Sequence, residues 1–221
     1  MLDSILILRW QGWRRFALDF LVIQIGFFLF ATSIDIVVQA DLGTGPWTVL
    51  EKGLADRLSI SLGQASIAVA AVIILMDVLL RQPLGWGTVA NMIFIGVWVD
   101  FLKTFVPVVG DSLWARTAYL LLGTFIQGFA TAIYIGVNAG AGPRDSLMLA
   151  VSRVTKTSLR LARGTIEITV VSLGWLLGGP FWFGTLLFAF TIGPAVQLAF
   201  QVLKIRPSQQ RETPETSRPS S

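Results

Sequence analysis

One phrase of the sequence occurs twice and contains most of the residues that could do chemistry. Gly43-Thr44-Gly45-Pro46-Trp47-Thr48 returns 97 residues later as Gly140-Ala141-Gly142-Pro143-Arg144-Asp145. In each copy Gly-x-Gly ends one helix, and proline takes the first position of the next, where its missing N–H costs no hydrogen bond. A helix that begins this way presents free N–H groups and the positive end of its dipole, which can bind an anion. The phrase is equally compatible with a sharp turn into a surface helix.

The second copy differs from the first at the two positions after proline, where Arg144 and Asp145 replace Trp47 and Thr48. Asp145 would be the third residue of its helix, where a carboxylate meets the helix dipole favourably. Arg144 has no role in starting a helix, and it can pair with Asp145, with a lipid phosphate or with an anionic ligand. We therefore predict a binding site here, against the alternative that Arg144 anchors the chain at the cytoplasmic surface.

A carboxylate within an apolar block is the second candidate for chemistry. Glu167 lies about seven residues into such a block, and its counterpart 97 residues earlier is the apolar Ala70. Carboxylates inside a membrane are costly and are usually paired or functional. Arg163 lies four residues earlier on the same helical face, so a structural ion pair is one reading and a role in proton or cation coupling is the other. With one polar residue of the third apolar block, the candidate site residues are Gly45, Pro46, Trp47, Asn91, Gly142, Pro143, Arg144, Asp145 and Glu167.

The elements that would position these residues are membrane-spanning helices. The 221 residues are 54% hydrophobic and 14% charged, whereas about 25% of residues are charged in a typical globular chain. Blocks of about 20 apolar residues can cross a hydrocarbon core of about 30 Å. Six such blocks are found, at 16–38, 61–80, 87–106, 114–137, 160–178 and 183–203. They predict an all-α, multi-pass protein of the cytoplasmic membrane.

The stretches that begin at the two prolines differ from these blocks. Residues 46–58 and 143–156 carry apolar residues at helical spacing, but the first has four charged residues among its 13. A helix of this kind lies in the membrane interface or enters the membrane part-way. The sequence leaves these two arrangements open.

The repeated phrase belongs to a longer duplication. Residues 26–102 align without a gap on residues 123–199, with 18 identities in 77 positions. Each copy holds three spans, an odd number, so the second copy enters the membrane the other way up, as in many secondary transporters. If the N-terminus is cytoplasmic, 13 of the 17 Lys and Arg residues lie on the cytoplasmic side, which predicts that both termini are cytoplasmic. The predicted parts are a cytoplasmic N-terminus, two membrane repeats and a disordered cytoplasmic tail, at 1–15, 16–106, 114–203 and 204–221.

The absence of cysteine and histidine from the sequence excludes several kinds of chemistry. Disulfides, Cys/His metal sites and nucleophiles activated by histidine are all impossible within the chain. We expect no enzymatic activity, no metal and no cofactor. The net charge of +4 comes from basic residues at the ends of apolar blocks, which predicts contact with lipid phosphates and not with nucleic acid.

These motifs together resemble the YczE/YyaS/YitT-type bacterial integral membrane proteins, and most of all the YczE branch. The resemblance covers about 20–200 and rests on both copies of the phrase, on Arg163-x-x-x-Glu167, and on Gly178-Gly179 through Gly184-Thr185. It implies an architecture and a membrane location without a substrate. Thr48 departs from the acidic residue that the resemblance implies after Trp47, which argues against a symmetric use of the two copies.

Two functions are compatible with the sequence. The first is a small secondary transporter or exporter, with a site for a small molecule or an ion between the two repeats. The second is a non-transporting accessory or regulatory protein that binds another membrane system. Either could act as a homo-oligomer.

Overall fold

A computed structural model of the chain describes residues 6–7 and 12–205, and within them it contains eight helices and one pair of two-residue strands. The strands β1 (Leu6–Ile7) and β2 (Leu84–Gly85) are parallel. The helices are α1 (Trp13–Gln39), α2 (Pro46–Leu58), α3 (Leu62–Leu79), α4 (Trp86–Leu102), α5 (Leu113–Gly136), α6 (Pro143–Thr155), α7 (Leu159–Leu176) and α8 (Phe183–Val202). The predicted tail from residue 206 onward and most of the predicted N-terminal segment lie outside the described residues.

The all-α class is confirmed, and the apolar helices support a multi-pass membrane protein. In the described part of the chain, α1, α3, α5 and α8 are long and apolar enough to cross a membrane, and α4 is apolar but has 17 residues. Helix α7 has 18 residues but carries Arg160, Arg163 and Glu167. Large apolar side chains such as Leu18 and Phe190 are exposed on the outer faces of the bundle, where a lipid environment favours them. Six spans remain a prediction.

The duplication is visible in the backbone. Helices α2 and α6 each have 13 residues and begin 97 residues apart, and α3 and α7 each have 18 residues and also begin 97 residues apart. The left-handed backbone positions repeat with the same offset. These positions form the pairs Asp41 and Asn138, Gly43 and Gly140, Ser59 and Lys156, and Arg81 and Gly178.

The start of α2 and the start of α6 follow from the local sequence. Gly43 and Gly140 have φ of 98° and 121°, a conformation that glycine adopts without steric cost. Gly45 and Gly142 then take nearly identical extended conformations, with φ of −61° and −59°, and proline opens the helix in both cases. The chain therefore turns in the same way twice.

The first half of the bundle comprises α1 to α4, and the second half comprises α5 to α8. Helix α1 of the first half packs against α5 of the second half. A Cβ on Gly26 of α1 would lie 3.0 Å from Tyr134 Cβ, and a Cβ on Gly123 of α5 would lie 2.7 Å from Val37 Cγ2. Each of these contacts maps onto the other when 97 is added to one residue and subtracted from its partner. From Gly26 to Val37 along α1, the contacts on α5 run backward from Tyr134 to Gly123, so the two helices run in opposite directions.

The loops between the halves make a reciprocal pair of backbone hydrogen bonds. The N–H of Gly87 donates to the carbonyl of Ala139 at 2.9 Å, and the N–H of Gly184 donates to the carbonyl of Leu42 at 2.7 Å. These two bonds are also related by the 97-residue offset. Helix α2 packs against α7, and α6 packs against α3, so each half contributes to both sides of the interface.

Glycines in α7 provide a direct test of this interface. A Cβ on Gly174 would lie 2.5 Å from the backbone N of Leu50, whereas a Cβ on Gly164 in the same helix would meet nothing within 4 Å. We expect Gly174→Ala to lower the free energy of unfolding by about 1–3 kcal/mol, the usual cost of overpacking. Gly164→Ala should be neutral or stabilising by up to about 1 kcal/mol, because alanine favours a helix. Thermal unfolding of the purified protein in detergent measures both, and equal effects would contradict the close packing of α2 on α7.

Candidate functional site

A cavity of about 320 Å³ lies between the two halves, and all eight helices contribute to its lining. The size falls at the lower end of the range of pockets that hold small molecules, about 300–1,000 Å³. Its walls combine aromatic and aliphatic side chains with a few charged groups. Prominent among the apolar residues are Phe30, Ile95, Tyr134, Phe188 and Ile192.

Most of the residues singled out in the sequence line this one cavity. They are Pro46, Trp47, Asn91, Gly142, Pro143, Arg144, Asp145 and Glu167, and Arg163 lies beside them. Gly45 lies just behind the lining, because a Cβ on it would lie 2.7 Å from Phe188 Cε1. Their role in binding a ligand stays a prediction.

Equivalent residues of the two halves lie against the two helix starts, but with different chemistry. A Cβ on Gly142 would lie 3.5 Å from Asn91 Nδ2, while a Cβ on Gly45 would meet the ring of Phe188. Asn91 and Phe188 are 97 residues apart. The start of α6 therefore faces a polar group and the start of α2 faces an aromatic ring.

The strongest charge interaction joins the two halves. The side chain of Glu51 on α2 is 1% exposed, and its Oε1 accepts a hydrogen bond from Nη2 of Arg144 on α6. The Ser66 hydroxyl donates to the same oxygen at 3.0 Å. The Arg144 guanidinium also lies 5.2 Å from the centre of the Trp47 ring, within the distance of a cation–π contact. The Glu51 carboxylate thus joins α2 to α3 and α6, and Arg144 pairs with it instead of with its neighbour Asp145.

Glu51 is a site residue that the sequence analysis did not select. It is one of the four charged residues of the stretch 46–58, and their pattern predicts a polar helix face. One signal could have identified it: its counterpart 97 residues later is the apolar Met148, as the counterpart of Glu167 is apolar. Ser66 and Tyr134 carry no such signal.

A second ion pair lies within α7. Nε of Arg163 is 2.8 Å from Oε1 of Glu167, and the two side chains are 51% and 27% exposed. Both residues contribute to the lining of the cavity. The pair has the i, i+4 spacing that brings two side chains together on one face of a helix.

Asp145 is the carboxylate of the cavity lining that takes part in neither of these ion pairs. Its Oδ2 accepts a hydrogen bond from the Tyr134 hydroxyl at 3.3 Å, and among the described residues no basic side chain lies within 4.0 Å of it. Asp145 belongs to the 13-residue α6, which is too short to span the membrane. Burial raises the pKa of this carboxyl, against the opposing effects of Arg163, the Tyr134 hydroxyl and Arg144.

A second cavity of about 430 Å³ adjoins the first beside α6. It is lined by the 138–141 loop and by Pro83, Gly85, Leu149, Leu159 and Phe200, and it shares four residues with the first cavity. The shared residues are Ile135, Asp145, Met148 and Arg163. The Asp145 carboxylate therefore lies at the partition between two cavities.

The charged groups around the central cavity nearly balance. Arg144 pairs with Glu51, Arg163 pairs with Glu167, and Asp145 adds one further carboxyl. The part of the chain that the structure describes holds no group of three acidic, histidine or cysteine side chains placed to bind a metal ion. Besides the ion pairs, Asp145, Tyr134 and Asn91 bring polar groups to the cavity lining.

Comparison with known proteins identifies relatives along most of the chain. A family described as "Family of unknown function (DUF6198)" matches residues 17–201. An "Uncharacterized protein" of Haemophilus influenzae is 35% identical over 184 residues, which cover 81% of this chain and 84% of the relative. The "Uncharacterized membrane protein YczE" of Bacillus subtilis is 30% identical over 172 residues, which cover 76% of this chain and 79% of the relative. No solved structure matches the chain.

The pair between Glu51 and Arg144 makes a prediction about stability. Glu51→Ala leaves the Arg144 charge without its partner, and breaking a buried ion pair costs about 3–5 kcal/mol. Because Arg144 is 22% exposed, we expect a loss near the lower end of this range. Asp56→Ala is the matched control on the same helix, since it removes an exposed pair with Lys52 that contributes under about 1 kcal/mol.

Unfolding titrations with sodium dodecyl sulfate in mixed micelles measure these free energies. The double variant Glu51→Ala with Arg144→Ala should lose less than the sum of the single losses, because neither charge is then left alone. Additive losses would contradict a direct interaction.

Proposed function

The chain belongs to the DUF6198 family, and we propose that it is a small secondary transporter of the bacterial cytoplasmic membrane, with its substrate site between two inverted repeats. The observation that carries this proposal is the cavity of about 320 Å³ to which all eight helices contribute. Both Pro46 and Pro143 line it, so two interrupted helices begin at one cavity. Interrupted helices that begin at a shared central site are the binding elements of many secondary transporters.

The proposed topology has six spans, with α2 and α6 as re-entrant helices. Helices α4 and α7 have 17 and 18 residues, lengths of about 26 and 27 Å that suffice for a thin or locally adapted bilayer. The charges of α7 at Arg163 and Glu167 line the cavity and pair with each other, which lowers the cost of placing them in a membrane helix. Helices α2 and α6 are about 20 Å long, too short to cross.

The antiparallel contact between α1 and α5 supports inversion of the second repeat. Gly26 packs on Tyr134 and Gly123 packs on Val37, as expected when equivalent helices are related by a two-fold axis in the membrane plane. The reciprocal hydrogen bonds of Gly87 and Gly184 would then lie at opposite membrane surfaces. Opening one while the other stays closed exposes the cavity to one side at a time, which is what alternating access requires.

In this proposal the protein moves its substrate across the membrane unchanged and is not an enzyme. The accessory function that the sequence also allows would need neither a substrate cavity nor loop contacts, such as those of Gly87 and Gly184, that open in turn. Measurements of topology and of flux therefore separate the two functions.

Single cysteines test the inversion, because the chain has none of its own. Ser59 and Lys156 are exposed, equivalent residues at the ends of α2 and α6. In intact cells a membrane-impermeant maleimide should label Ser59→Cys, which we place outside, and should label Lys156→Cys only after the membrane is permeabilised. Labelling of both residues from the same side would contradict inverted repeats.

Glycines that face open space test transport. A Cβ on Gly193, which lines the cavity, meets nothing within 4 Å. We expect Gly193→Leu to fill the cavity and to reduce substrate-induced currents of proteoliposomes to the level of protein-free vesicles. Gly164→Leu is the control, because its Cβ also meets nothing within 4 Å but Gly164 does not line the cavity. The probes are small organic cations, carboxylates and amino acids, applied with and without a pH gradient on a solid-supported membrane.

Loss of current in Gly193→Leu with current retained in Gly164→Leu is the expected result. If no probe of any class gives a protein-dependent current, the transport function is wrong and the accessory function is favoured. Equal currents from Gly193→Leu and Gly164→Leu would show that the substrate does not pass through the cavity.

A further inference from the structure

We propose that the central cavity binds a small organic cation, an ammonium group carried on an apolar body, with Asp145 as the counter-ion. The inference names the substrate class of the site on which the proposed function rests. It is carried by the pairing of the charges around the cavity, by the composition of the walls, and by the position of Asp145 between two cavities.

The charges define which sign of ligand is needed. Arg144 is committed to Glu51, which is 1% exposed, and Arg163 is committed to Glu167 at 2.8 Å. Asp145 remains without a basic partner among the described residues. In a low-dielectric interior an unbalanced charge is costly. A ligand with one positive charge balances the site, whereas a monovalent anion would leave two negative charges unbalanced.

The walls suit the rest of such a ligand. Phe30, Tyr134 and Phe188 present aromatic rings to the cavity, and ring faces attract organic cations. The Trp47 ring already faces the Arg144 guanidinium. Aliphatic residues such as Ile95 complete the walls, so an apolar body can be buried while its ammonium group reaches Asp145.

The helix starts are the feature that would favour an anion. At α6 the first turn already contains Asp145, so the positive end of the dipole has a carboxylate beside it. The first turn of α2 has no acidic residue, but the glycine before it packs against the Phe188 ring. Arg144, the cation that could have joined an anion there, is held by Glu51.

Asp145 lies where a ligand could pass between two cavities. Asp145 lines both the central cavity and the adjoining cavity of about 430 Å³. A cation in either cavity can therefore lie near Asp145. In the proposed topology the second cavity lies on the cytoplasmic side, because it is lined by Pro83 and by the 138–141 loop.

A proton and a cation compete for this carboxylate, because only the ionised form attracts an ammonium group. The groups around it are Tyr134 on α5, Arg144 on α6, and Arg163 and Glu167 on α7. Helices α3 and α4 contribute the neutral Ser66 and Asn91 to the same cavity. Burial raises the pKa of Asp145, so protonation releases the cation at a higher pH than for an exposed aspartate. Binding should therefore weaken as pH falls, and exchange of one cation for one proton follows.

The test uses calorimetric titration of the purified full-length chain in lipid nanodiscs with benzylammonium, and with benzoate as an anion of similar shape. We expect benzylammonium to bind, benzoate not to bind, and the affinity for benzylammonium to fall as pH is lowered. Asp145→Asn should weaken benzylammonium binding by about 30-fold or more, the usual effect of removing one member of a buried charge pair. Asp56→Asn, a carboxylate of similar type in an exposed pair with Lys52, should leave the affinity unchanged.

Several results would overturn the inference: tighter binding of benzoate, equal affinity of the wild type and folded Asp145→Asn, or affinity that does not change with pH. The last result decides the matter even if Asp145→Asn does not fold. The proposed function fails separately. Benzylammonium binding without flux of any probe would overturn transport alone, and flux of an anion that Asp145→Asn does not alter would overturn the cation site alone.

Discussion

The side chain of Glu51 is 1% exposed, and the cation that pairs with it comes from the other half of the chain. Arg144 on α6 pairs with Glu51 on α2, and Ser66 on α3 donates to the same oxygen. The pair ties α2 to α6 beside the cavity that both helices line. Because Arg144 is committed to this pair, Asp145 is a cavity carboxyl without a basic partner among the described residues. One charge interaction thus links the packing of the two helices to the charge that is left at the site.

The sequence was informative wherever the structure depends on local signals. Gly-x-Gly-Pro predicts where α2 and α6 begin, and the 97-residue offset is reproduced in the backbone down to the left-handed residues. The predicted re-entrant or interfacial stretch 143–156 is a helix that ends at Thr155, since Lys156 takes a left-handed conformation that stops it. The resemblance to YczE-type proteins, drawn from the same glycines and prolines, is confirmed by the family match and by the relative YczE.

The site was less predictable because its contacts join residues that are distant in sequence. The charge of Glu51 was assigned to a polar helix face, since nothing in α2 indicates that an arginine 93 residues away will cover it. In the sequence Tyr134 is one residue of an apolar block. Its contact with Asp145 depends on the turn after α5, which brings the carboxylate to its hydroxyl. Comparison of the two halves is the signal that helps, because a charge opposite an apolar counterpart marks a position at which the two halves make different interactions.

The packing of α1 on α5 also governs how the protein is made. Gln127 of α5, which accepts a hydrogen bond from Ser33 of α1, is synthesised 94 residues after it, a delay of about 5 to 20 s at about 5–20 residues per second. During that delay Ser33 of α1 lacks Gln127 and Glu51 lacks Arg144. Polar groups without partners are costly in lipid, so in the proposed topology the first half cannot complete its polar contacts before the second half is in the membrane. The order of synthesis thus makes the contacts between the two halves the last to form.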